Sequence, residues 1–122
     1  MKPSEFDELV RRALECIPRL FRDAMQNLEI VVEDWPDPDL MAKVAGNSNA
    51  TLYGLFIGKP LPARRFDDLA DLPAVIRLYQ GPLEADFPNP DDLAREVEIT
   101  LVHEIAHFMG FDEETLEKYG YS

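Results

Sequence analysis

From Phe6 onward, apolar residues recur at helical spacing: Phe6, Leu9, Val10, Ala13, Leu14 and Ile17. That stripe predicts an amphipathic helix with one face on a core. Ser4, three residues before Asp7, reads as its capping box, with Asp in place of the usual Glu. Pro18 is expected to break or kink the helix after Ile17. A second helical stretch puts Leu20, Phe21, Ala24 and Met25 on one side. The period then changes. Leu28-Glu29-Ile30-Val31-Val32, Thr51–Ile57 and Ala74–Tyr79 read as strands, the last bounded by Pro73 and Gly81-Pro82. Turn residues separate them: Trp35-Pro36-Asp37-Pro38-Asp39 and Gly46-Asn47-Ser48-Asn49 in the first interval, Lys59-Pro60-Leu61-Pro62 in the second. The stretch from Asp34 to Ala50 is long for a compact domain and is expected to be mobile or to rim a cleft.

The strongest element lies near the C-terminal end. Asn89 suits an N-cap, Pro90 the first helical position, and Asp91 and Asp92 the positive end of the helix dipole. Gly110 is the expected terminator, so the helix runs from Pro90 to Met109. A short final helix is expected beyond it, where Glu114 and Lys118 form an i,i+4 pair.

Composition narrows the class. The 122 residues are 46% hydrophobic and 30% charged, which suits one globular domain over residues 1–122. With 24 acidic against 12 basic residues the formal net charge is −12, which argues against a nucleic-acid or anionic-membrane surface. A single cysteine excludes an internal disulfide and a cysteine-rich metal framework. No apolar run reaches the roughly 18 residues of a membrane span. The opening residues lack the layout of a signal peptide, so a cytoplasmic protein is expected.

The chemistry concentrates in His103-Glu104-Ile105-Ala106-His107, which holds the only two histidines in the chain. Residues four apart on a helix lie about 40° apart, so both imidazoles can face one ion, and imidazole is a good Zn²⁺ ligand. Glu104 sits about 100° from His103, able to reach a water on the metal without being a ligand. Two ligands and one general base are the logic of the H-E-x-x-H motif. On a helical wheel with His103 at zero, Glu96, His107, Thr100 and Glu104 fall at about 20°, 40°, 60° and 100°. Val97, Ile99, Leu101, Val102, Ile105, Ala106, Phe108 and Met109 surround that arc, with Glu98 the only interruption. A helix buried nearly all round, with one ionisable stripe, suggests a stripe facing a cleft.

Catalytic zinc needs a third protein ligand. Gly110 lets the chain reverse, and an acidic residue soon after can return to the metal. Glu113 stands where the third ligand falls in the H-E-x-x-H-x-x-G-x-x-H pattern. Asp112 is its rival, and Glu117 a more distant one.

The segment HEIAHFMGFDEE resembles the H-E-x-x-H-x-x-G-x-x-[D/E] motif of zincin-type metallopeptidases. The resemblance to the zincin-like zinc metallopeptidase family of small bacterial proteins extends over nearly the whole chain. It includes FDELVRRALECIPRLFRDAMQNLEIVVED and AVIRLYQGPLEADFPNPDDLAREVEITLVHEIAHFMGFDEETLEKYGY. It implies an α+β, minimal zincin-like fold: an N-terminal helix, a small mixed sheet of three to four strands, an active-site helix and a short C-terminal helix. It implies Zn²⁺ held by His103, His107 and Glu113, with Glu104 as the general base for hydrolysis of a peptide or protein substrate. The sheet edge nearest the cleft, implied to be Val75–Tyr79, would take an extended peptide by strand addition. Two departures stand out: no methionine follows Met109 to form a metzincin turn, and the third position is acidic. The alternative is a catalytically weak or inactive zinc-binding or protein-interaction module on the same scaffold.

Other residues have simpler readings. Glu96 and Thr100 are expected on the exposed side of the helix, and Cys16 as a small buried hydrophobe. Tyr53, Tyr79, Tyr119 and Tyr121 read as packing residues, although a tyrosine hydroxyl can also serve an oxyanion.

Overall fold

A computed structural model describes residues 1–39, 52–57 and 74–121. Helix α1 spans Pro3–Cys16 and buries Phe6, Val10 and Ala13. Its cap is not the expected box. Lys2 is the N-cap, Pro3 opens the helix, and the Lys2 carbonyl accepts from the N–H of Glu5 and Phe6 at 3.0 Å each. Proline at the first position supplies the helical φ and lacks an N–H that would be unsatisfied there anyway, so Ser4 falls inside the helix. Cys16 is exposed, because it stands off the arc that buries Phe6, Val10 and Ala13. Pro18 restarts the chain as α2 (Arg19–Asp23), which continues as a 3₁₀ turn over Ala24–Asn27. Phe21 in α2 is fully buried.

The sheet has three strands among the described residues, in the order β1 (Leu28–Glu33), β3 (Ala74–Tyr79), β2 (Gly54–Ile57). β1 runs parallel to β3, with Leu28 opposite Ala74 and Glu33 opposite Tyr79. β2 runs antiparallel, with Gly54 opposite Leu78 and Ile57 opposite Val75. The segment Val75–Tyr79 is therefore the centre of the sheet and not its edge. Pairing on both sides puts it there, and its core-facing residues Ala74, Ile76 and Leu78, with Tyr79, are fully buried. Most of the Asp34–Ala50 loop and the Lys59–Pro62 turn lie outside the described residues, as does Thr51 of the expected second strand.

From Tyr79 the chain enters α3 (Gln80–Asp86) without a linker. Sequence periodicity does not indicate this short helix, since Gly81-Pro82 reads as a turn. Pro82 is tolerated because it lies in the first turn. Helix α4 then spans Pro90–Met109 as expected. The Asn89 side chain accepts from the N–H of Asp91 at 2.9 Å and of Asp92 at 3.3 Å. Gly110 closes α4 at φ 80°, with its N–H on the His107 carbonyl and the Phe111 N–H on the Ala106 carbonyl. Those two bonds form a Schellman motif, whose left-handed residue favours glycine. Helix α5 (Glu113–Lys118) follows.

The core lies between α1, α4 and one face of the sheet. Phe6, Val10, Phe21, Ile76, Leu78, Leu83, Val97, Leu101, Val102, Ile105 and Leu116 belong to one buried cluster. The result is an α+β fold with a small mixed sheet. Among the described residues no helix is long and apolar enough to cross a membrane.

Candidate metal centre

The motif occupies the last turns of α4, where the wheel places its polar arc. Leu101, Val102, Ile105, Ala106 and Phe108 are fully buried, whereas His103 and Glu104 are partly exposed and His107 is exposed. Thr100, expected on the outside, is buried. Its environment explains the difference. β2 crosses α4 at this level, and a Cβ added to Gly54 would lie 2.8 Å from Thr100 Cγ2 and 3.5 Å from Glu104 Cγ. The absent side chain at Gly54 lets the strand approach the helix closely. Glu104 is thereby set beside β2, with 14% of its side chain exposed. An isolated glycine within a strand pattern is the available signal for this contact, and periodicity alone does not use it.

Glu104 Oε2 stands 3.5 Å from His107 Nδ1. The hydrogen-bonding contact with Glu104 holds the His107 pKa above the ordinary imidazole value. Partial burial opposes that rise, and the negative charges of Glu104 and Glu113 add to it. Glu113 is thus close enough to act electrically on the second histidine. Asp112 is otherwise engaged. It caps α5 by accepting from the Thr115 N–H at 2.8 Å, and its bonds with Thr115 hold its carboxyl below the usual range.

His103 faces a different neighbour. Its Nε2 meets the backbone carbonyl of Tyr121, a contact that residue types do not foretell. The tyrosine side chains make other contacts. Tyr53 donates to Asp86 Oδ2 at 2.5 Å, the Tyr79 hydroxyl is buried with no hydrogen-bond partner among the described residues, and the rings of Tyr119 and Tyr121 turn onto Phe21.

The donor types suit zinc: two imidazoles one turn apart, and a carboxylate whose charge reaches the second. Among the described residues, however, no three His, Cys, Asp or Glu side chains converge closely enough to hold a metal ion. Glu96 is partly exposed, lower on the same arc. The large groove of about 680 Å³ between α1 and the first half of α4 is lined by Leu9, Ala13, Cys16, Ala94 and Glu98 among others, and by none of the motif residues.

Residues 25–121 match a family described as zincin-like metallopeptidase. A solved structure, a conserved hypothetical protein from Thermus thermophilus, is 27% identical and superposes with a TM-score of 0.56. The match covers 97% of this chain and 99% of that one. No curated protein is significantly similar.

Proposed function

The chain belongs to the zincin-like metallopeptidase family, and from that premise we propose that it is a zinc-dependent peptidase whose centre is built on the end of α4. His103 and His107 would hold the ion, with Glu113 as the third ligand. Asp112 is the weaker candidate for that place, since its carboxylate already caps α5. Zinc, when bound, lowers the pKa of water and polarises a carbonyl oxygen.

The chain's own contribution follows from Glu104. Its carboxylate is set beside β2 by the close approach at Gly54, and it lies next to the first ligand without needing to be one. It takes a proton from the attacking water and returns it to the leaving amine nitrogen. β2 pairs with β3 on one side only among the described residues, so its other edge can add an extended peptide strand. That edge replaces Val75–Tyr79 as the substrate rail, and it runs beside the general base.

The observation that carries this reading is the single arc of α4 with His103, Glu104 and His107, flanked in the same turns by the buried Leu101, Val102, Ile105, Ala106 and Phe108. The test is elemental analysis of untagged protein beside His103→Ala, Glu113→Ala and Glu104→Gln. About one zinc per chain is expected, lost in His103→Ala and weakened in Glu113→Ala. Glu104→Gln keeps the metal and loses hydrolysis of a peptide library. Absence of zinc after reconstitution at neutral pH would refute the proposal and leave the protein-interaction module.

A further inference from the structure

The contact between His103 and Tyr121 is incompatible with metal binding at the same atom. A carbonyl oxygen only accepts, so Nε2 must carry the proton when it meets the Tyr121 carbonyl. A protonated ring nitrogen has no lone pair to give to a metal. We infer that the segment Tyr119–Tyr121 is a strap over the centre, and that zinc gains His103 Nε2 only when the strap withdraws. The inference rests on the zinc reading above and concerns the regulation of that site.

The strap is built and not a loose end. Gly120 lies at φ 83° beyond α5. Its N–H bonds the Glu117 carbonyl at 3.0 Å, and the Tyr121 N–H bonds the Leu116 carbonyl at 3.1 Å. This is a second Schellman motif, and it turns the chain back toward α4. Aromatic edges then tie it down. Phe21 receives Phe111, Tyr119 and Tyr121 at ring-centroid distances of 5.8, 5.4 and 6.2 Å, all T-shaped. The hub is fully buried, but Tyr119 is 46% exposed, so the strap lies on the surface of the core and not within it. An element held by ring edges and one turn can open without unfolding the core.

Zinc then binds only the open fraction, and its apparent affinity falls by that fraction. Gly120→Ala is the cleanest perturbation. A Cβ there meets nothing within 4 Å, so only the left-handed backbone is disfavoured. Tyr121→Ala is the independent one, since it removes a ring from Phe21 and keeps the carbonyl. Both variants are expected to bind zinc about three- to tenfold more tightly than the natural chain.

The experiment is a zinc titration against a chromophoric chelator for the natural chain, both strap variants and His103→Ala, with nitrogen NMR of the His103 ring in metal-free protein. The expected result is an Nε2–H ring in the natural chain, tighter zinc in both strap variants and loss of zinc in His103→Ala. A proton on Nδ1 in the metal-free natural chain overturns the strap. Equal or weaker zinc binding by both strap variants also overturns it, while leaving the zinc reading standing. Absence of zinc from every protein, strap variants included, overturns the zinc reading and the strap together.

Discussion

Replacing Gly54 with alanine tests how the general base is positioned. The new Cβ would stand 2.8 Å from Thr100 Cγ2 and 3.3 Å from the Arg77 carbonyl, with Glu104 Cγ at 3.5 Å. The first two neighbours cannot yield cheaply: Thr100 is buried on α4, and the carbonyl belongs to the central strand. β2 must therefore move away by roughly half an ångström, at the overpacking cost of about 1–3 kcal/mol. Restricting the unfolded chain returns roughly 0.4–1 kcal/mol. The net expectation is a loss of about 1–2 kcal/mol. Thr100→Ser removes the offending methyl and alone costs roughly 1 kcal/mol of buried surface. In the double variant the lost methyl makes room for the gained one, so the combined loss falls short of the sum by about 1 kcal/mol or more. Urea denaturation of the four proteins closes this cycle. Strict additivity would refute the close approach of β2 to α4. The same displacement moves the strand beside Glu104, so Gly54→Ala should retain zinc while hydrolysis falls.

The remaining expectations concern charge and caps. Contact with Glu104 raises the folded pKa of His107, so its contribution to stability is present below the unfolded value of about 6.5 and is lost as pH rises through the folded value. In metal-free protein the His107 ring should titrate above about 6.5, and Glu104→Gln should lower that midpoint; an unchanged midpoint would exclude the contact. Asn89→Ala removes two bonds to the start of α4 and should cost about 1 kcal/mol by urea denaturation, without altering zinc content. Asp112→Ala should fray α5 and weaken zinc less than Glu113→Ala does; the reverse order in a chelator competition would make Asp112 the ligand.

What the sequence discloses depends on the range of the interactions involved. α4 is legible to its last residue because its signals are local: an asparagine cap, a proline, a glycine and an apolar surround broken only by Glu98. The arc of His103, Glu104 and His107 is legible for the same reason. The place of β3 is not. Val75 and Arg77 alternate with buried residues as they would at an edge, and only pairing with both β1 and β2 makes the strand central. A helical wheel puts Thr100 on the outside because it carries no knowledge of a strand crossing at Gly54. Ser4 has the spacing of a cap, but Pro3 claims the first helical position ahead of it. The Tyr121 carbonyl cannot be found from residue types, since every residue carries one and only tertiary structure aims it.

The pairing of β1 with β3 also bears on the order in which the molecule assembles. Leu28 meets Ala74 across the whole middle of the chain, so closing that ladder demands a large loop before any pairing reward returns. The proposed ligands lie instead on α4 and its immediate continuation, and their geometry relies on contacts a few residues apart. A folding chain can therefore gather the histidines early, on a nascent helix, while the strand that flanks Glu104 arrives with the sheet. The capacity to capture an ion and the capacity to use it would then mature at different times, the first set by helix formation and the second by slow, long-range strand pairing.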